Sequence, residues 1–215
     1  MSRPRRARFA EPLEQLLVLV AAALLFQWNL AAGLASVAVL AVFWPPRVAW
    51  RPFALASVLR CYLPFAVLWT AFAVGYLRLV AALGFPVAPQ PLLLQLARDG
   101  WAADGLWLAA LGIVVVAPLV EEILFRGYLF TGLAVLLRPW AVQGATAVLF
   151  GLAHGLGHAV PIGVLSLLFG YLRRRHGALG PAVLAHALHN ALTLALVLTW
   201  PGLLELLYGP LAASR

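Results

Sequence analysis

Three short stretches of this 215-residue chain set acids, bases and an amide inside otherwise apolar sequence. The first, Ala117-Pro118-Leu119-Val120-Glu121-Glu122-Ile123-Leu124-Phe125-Arg126-Gly127, puts two adjacent carboxylates ahead of a guanidinium. On a helix Glu122 and Arg126 are i, i+4 neighbours, so pairing them removes one net charge from an apolar setting. Glu121, about 100° round the helix, is left without a partner in its own helix. The second stretch, Phe150-Gly151-Leu152-Ala153-His154-Gly155, brings an imidazole. The third, Ala185-His186-Ala187-Leu188-His189-Asn190, sets His186 and Asn190 on one helix face, with His189 about 100° from Asn190. An ionisable group at a bilayer centre costs about 2.5–3.5 kcal/mol on insertion scales, so such groups collect where they face a protein interior or a wet cavity.

The chemistry these residues suit is water activation. A desolvated glutamate held beside a histidine can take a proton from water that attacks an amide carbonyl, while His186 and Asn190 hydrogen-bond the developing oxyanion. Any one of these groups alone is explained as readily by packing. So many polar groups on three apolar helices, in a chain with only seven acids and five histidines, are harder to explain that way. Other proteolytic chemistries lack their residues: there is no HExxH zinc motif, no GxSG-type serine in an apolar segment, and the aspartates are Asp99 and Asp104 alone, outside the apolar segments.

The elements that must position these groups are membrane helices. The composition is 64% hydrophobic and 10% charged, and several stretches of 15 residues or more carry no charge. A soluble domain of this length is excluded, and the expected fold is all-α, a polytopic transmembrane bundle of six to eight helices. Apolar segments fall at 14–26, 29–45, 57–82, 105–137, 139–155, 158–172 and 179–200, the first two being one long helix or two short ones. The net charge of +8 is carried by arginine without any lysine, and the arginines lie between apolar segments, as topology signals do; nucleic acid is not an expected partner. Seven spans place Arg3 to Arg8, Arg47 to Arg60, Arg138 and Arg173 to Arg175 on one side. Kinks are expected at Pro64 and Pro118. The outlying segment 84–104 leads into Leu92–Trp107, which reads equally as an interfacial helix or an external loop. His158 is expected at the interface, Cys61 has no assigned role, and the basic N-terminus is expected to be retained.

Counting from Arg138 at the presumed hairpin gives 17 residues back to Glu121 and 16 forward to His154. In an antiparallel hairpin equal counts mean equal depth, so the two can meet. His186, only 11 residues after Arg175, then requires a re-entrant hairpin or an irregular helix.

Together, Glu121-Glu122-x-x-x-Arg126, Phe150-x-x-x-His154 and His186-x-x-x-Asn190 resemble the three motifs of the CPBP family of CAAX-processing and bacteriocin-processing intramembrane endopeptidases. The resemblance covers roughly residues 105–200. It implies Glu121 as the water-activating base with His154 as its partner, His186 and Asn190 as the oxyanion site, and Glu122 with Arg126 as an orienting pair. The substrate it implies is a protein or peptide cut near its C-terminus or membrane anchor, with lipidation left open, in contact with membrane lipid in a bacterial cytoplasmic (inner) membrane. No cofactor is expected; a divalent metal on Glu121, His154 and His186 is the alternative. The chain then divides into a basic tail at 1–12, N-terminal membrane helices with the external or interfacial segment at 13–103, a catalytic core at 104–200 and a tail at 201–215. Competing classes are a non-catalytic or immunity-type membrane partner and a transporter relaying protons through Glu121. The transporter would need a continuous polar path through spans made mostly of Ala, Leu, Val and Phe.

Overall fold

The computed structural model describes residues 35, 37–39, 42, 45–46, 48–51, 53–200 and 202–209. The apolar segment at 14–26, most of that at 29–45 and the basic tail at 1–12 lie outside the described residues. The described residues are all-α, with no strand beyond an isolated bridge between Ala49 and Ala178. Helix α1 is Leu55–Ala82 and α2 is Pro91–Asp99, followed by a single 3-10 turn at Gly100–Ala102. Helix α3 runs without a break over Leu106–Leu136. Then come α4 at Pro139–Ala153, α5 at Ala159–His176, α6 at Gly180–Thr199 and the short α7 at Gly202–Tyr208.

Local signals explain the boundaries. Proline stands in the first turn of α2, α4 and α6, where a missing amide proton costs nothing. Arg138 is extended, as a residue before proline must be, and this makes the α3–α4 turn. Gly177 closes α5 in the left-handed conformation. Helices α1, α3 and α6 are long and apolar enough to cross a membrane, and the chain is an integral membrane protein. Helix α4 is apolar but only 15 residues long, short of the roughly 20 that a full span needs. Helix α5 ends on Arg173, Arg174, Arg175 and His176. The segment expected to be interfacial helix or loop is helix over Pro91–Asp99, and Leu96 buries it against Leu194 and Leu198 of α6.

Helix α3 is irregular, widening into π-helical turns at Gly112–Val116 and Ile123–Leu129. These bracket Glu121 and Glu122. Pro118 follows the first of them, and the helix continues past it. In the π register a carbonyl pairs with the amide five residues on, as Ala117 does with Gly112. The next such donor for Ile113 would be Pro118, which has no N–H. The carbonyl of Ile113 is therefore free for an outside donor, and the Nδ2 of Asn190 takes it at 2.8 Å. Proline thus ties α3 to α6 instead of breaking α3.

Helices α4 and α5 form the tightest seam, because glycine lets their backbones touch. A Cβ on Gly151 would run into the carbonyl of Ala159, and one on Gly163 would stand 3.2 Å from that of Ala147. Small residues do this work in lipid, where apolar burial alone does not draw helices together. Helix α5 in turn packs on α1 and α6 through Val58, Tyr62, Leu165, Phe169, Leu172 and Ala185.

Candidate active site

The two adjacent glutamates of α3 point into different surroundings. Glu122 is fully buried, and its Oε1 accepts hydrogen bonds from Nη1 of Arg126 at 2.9 Å and from Nδ1 of His186 at 3.0 Å. Arg126 is also fully buried; its Nη2 donates to the carbonyl of Ser166 at 3.0 Å and to its hydroxyl at 2.5 Å. The guanidinium lies 4.4 Å from the ring centre of Phe150 and 5.3 Å from that of Phe169. Two charges removed from water hold only where partners satisfy them. Here α3, α5 and α6 each supply one.

This lattice sets the orientation of His186. The ring stacks on Phe169 with centroids 4.6 Å apart, and its Nδ1–H is given to Glu122, so Nε2 turns the other way, to 3.9 Å from Oε2 of Glu121. His154, just past the end of α4, donates Nδ1–H to the carbonyl of Phe150 at 2.8 Å and presents Nε2 at 3.5 Å from the same Glu121 oxygen. Both imidazoles are thus pinned through Nδ1, with Nε2 aimed at one carboxylate. Both separations exceed an ordinary hydrogen bond.

Glu121 is one-quarter exposed and opens on a cavity of about 350 Å³. His154, His186 and Asn190 line that cavity with it, and its far reach is apolar, walled by Leu77, Leu196 and Leu203. The structure therefore gathers Glu121, His154, His186 and Asn190 about one space and sets Glu122 and Arg126 behind it. The arrangement adds two details to the sequence expectation. Asn190 has one of its two amide protons engaged by Ile113, leaving one for the cavity. His186 has Nδ1 engaged by Glu122, leaving Nε2 as its nitrogen toward the cavity side.

Sequence reasoning missed Ser166, the second anchor of Arg126 and a lone hydroxyl in the run Val164-Leu165-Ser166-Leu167-Leu168. A polar residue in an apolar helix was the available signal. His158, expected at the interface, is half-buried, lines the cavity and lies with Nε2 2.9 Å from the hydroxyl of Tyr208 on α7. Burial, and then the neighbouring His154, push the His158 imidazole below its ordinary range; burial pushes the Tyr208 phenol up to about 12. His189 also faces the cavity.

A metal at this centre would use Oε2 of Glu121 with Nε2 of His154 and His186, and histidine ligands do characteristically give their other nitrogen to a carboxylate or a carbonyl. Among the described residues, however, no group of three His, Cys, Asp or Glu side chains has the geometry of a metal site.

Residues 103–192 match the family model described as Rce1-like type II CAAX prenyl endopeptidase, in agreement with the resemblance carried by the three motifs. The matched stretch begins just before α3, ends within α6 and contains all six candidate residues. No curated protein and no solved structure matches the chain. At family level the match supports a CAAX-type membrane protease.

Proposed function

Taking the Rce1-like segment as the premise, we propose that this chain is a glutamate-dependent intramembrane endopeptidase that cuts a peptide bond near the C-terminus or membrane anchor of a protein substrate. The observation that carries the reading is the contrast between the glutamates. Glu122 is committed to Arg126 and His186, whereas Glu121 lines the cavity with two imidazole nitrogens 3.5 and 3.9 Å from its Oε2.

In this reading a water in the cavity is held by the carboxylate of Glu121, beside His154. Glu121 takes its proton as the oxygen adds to the scissile carbonyl carbon. The negative oxygen that forms is met by the free amide proton of Asn190 and by His186, which donates from Nε2 when protonated on both nitrogens. An imidazolium there lies between the carboxylates of Glu121 and Glu122, which with Arg126 bring the cluster to neutrality. Collapse of the tetrahedral species breaks the C–N bond, and the proton on Glu121 passes to the leaving amine. The apolar reach of the cavity suits a substrate with a lipid or other apolar anchor. The corresponding location is a bacterial cytoplasmic membrane, with the arginines ending α5 on the cytoplasmic side.

The test is Glu121→Gln in the purified full chain, assayed on a peptide ending in a prenylated Cys-a-a-X sequence. A positioned acid or base contributes about 10²- to 10⁴-fold, and a loss of that size is expected with the fold retained. Cleavage at the parental rate would remove Glu121 from the reaction.

The orientation of the two imidazoles also favours a second reading, in which a divalent metal on Glu121, His154 and His186 activates the water. Metal analysis of the purified protein and assay after chelation separate the two. The metal-free reading expects substoichiometric metal and unchanged turnover.

A further inference from the structure

Helix α6 turns His186, His189, Asn190 and Thr193 toward the cavity, and His189 has no part in the water-activating arrangement. Its ring is held from α1. The hydroxyl of Tyr62 lies 3.3 Å from Nδ1, and the ring of Trp69 stands perpendicular to the imidazole at a centroid distance of 4.5 Å. Trp69 is itself fixed by its indole N–H, which donates to the carbonyl of Pro161 on α5 at 2.7 Å.

Tyr62 is almost completely buried, and a buried hydroxyl is costly to leave without an acceptor. The acceptor within reach is Nδ1 of His189. With Tyr62 donating, Nδ1 carries no proton, and a neutral ring then bears its proton on Nε2. Among the described residues nothing accepts that Nε2–H. A rigid, oriented donor is thus left at the wall of a mostly apolar cavity.

A peptide entering such a cavity brings backbone carbonyls that must be paired once water is excluded. Side chains three residues apart on a helix lie about 5–6 Å from one another, and an extended peptide advances about 3.3 Å per residue. A donor one turn beyond His186 therefore falls one to two residues along the substrate from the bond that meets His186.

We propose that His189 is a substrate-binding residue whose Nε2–H donates to a backbone carbonyl of the peptide one or two residues from the scissile bond. Tyr62 and Trp69 hold it in register. The proposal rests on the hydrolytic reading of the Glu121 site, and it gives α1, which lies outside the family-matched stretch, a part in substrate selection.

The experiment compares the full chain with His189→Leu, His189→Gln and Tyr62→Phe on the same prenylated Cys-a-a-X peptide. His189→Leu is expected to raise KM about tenfold, equivalent to about 1.4 kcal/mol, with kcat little changed. His189→Gln, which keeps a side-chain N–H, is expected to recover most of that affinity. Tyr62→Phe should fall between, because the ring is then free to take the other tautomer. Binding is read separately in the Glu121→Gln background by fluorescence anisotropy of the uncleaved peptide. There His189→Leu should again weaken binding about tenfold. Equal affinity with and without His189→Leu overturns the proposal while leaving the hydrolytic reading untouched; undiminished cleavage by Glu121→Gln alone overturns that reading instead. A common loss of kcat in the Leu and Gln variants, with lowered melting temperatures and no change in KM, would make His189 a packing residue and also overturn it.

Discussion

Glu121 and Glu122 are the same residue type, adjacent in sequence on one helix, yet the molecule treats them oppositely. Behind α3, Glu122 is sealed with Arg126, Ser166 and His186, and both members of the ion pair are fully buried. In front of α3, Glu121 meets two imidazole nitrogens at 3.5 and 3.9 Å and a cavity. The first arrangement sets charge against charge at hydrogen-bond distance, and the second leaves Glu121 beyond that distance from either imidazole. A rotation of about 100° between consecutive helical residues separates the two carboxylates, and the proposed function makes Glu122 structural and Glu121 reactive.

The contrast can be broken most severely from behind. Arg126→Met leaves Glu122 buried without its counter-charge, and a loss of about 3–5 kcal/mol is expected, enough to deplete folded protein; yield and thermal melting in detergent measure it. Next is the α4–α5 seam, which carries His154 and Ser166 to the two sides of α3. Gly151→Ala pushes a methyl into the carbonyl of Ala159, and a cost of about 1–3 kcal/mol is expected, with cleavage falling as His154 moves. A melting temperature equal to the parent's would show that the backbones do not meet as described.

The smallest effect concerns the far rim of the cavity. Because the folded state holds His158 below its ordinary range, the unfolded chain takes up that proton first as pH falls through about 6.5. The stability due to this group is therefore full above that pH and lost below it. The drop in melting temperature between pH 7.5 and 5.5 should be smaller in His158→Gln than in the parent, and an equal drop would count against the burial of His158.

Much of the front face was legible in the sequence, because helical and hairpin geometry depend on counting. The run at 105–137 gave α3 nearly residue for residue, the i, i+4 rule paired Glu122 with Arg126, and equal counts from Arg138 brought Glu121 to the depth of His154. What escaped depended on rotation and on distant partners. Whether His186 addresses Glu121 or Glu122 is decided by its stacking on Phe169 of α5, which no spacing within α6 reveals. The bond from Asn190 to Ile113 required a π turn and a proline in phase, and the pairing of Ser166 with Arg126 joins residues 40 apart. The pairing of His158 with Tyr208 escaped because Tyr208 belongs to a short helix in the C-terminal tail.

The central claim is that the two glutamates have exchanged no duties: one holds the site together and its neighbour reacts. Glu121→Gln and Glu122→Gln, purified in parallel, should be compared for cleavage of the prenylated peptide and for thermal stability. The account predicts that Glu121→Gln keeps a parental melting temperature and loses at least about 100-fold in kcat, whereas Glu122→Gln melts markedly lower. A Glu121→Gln variant that cleaves normally, or a Glu122→Gln variant as stable as the parent, would contradict it.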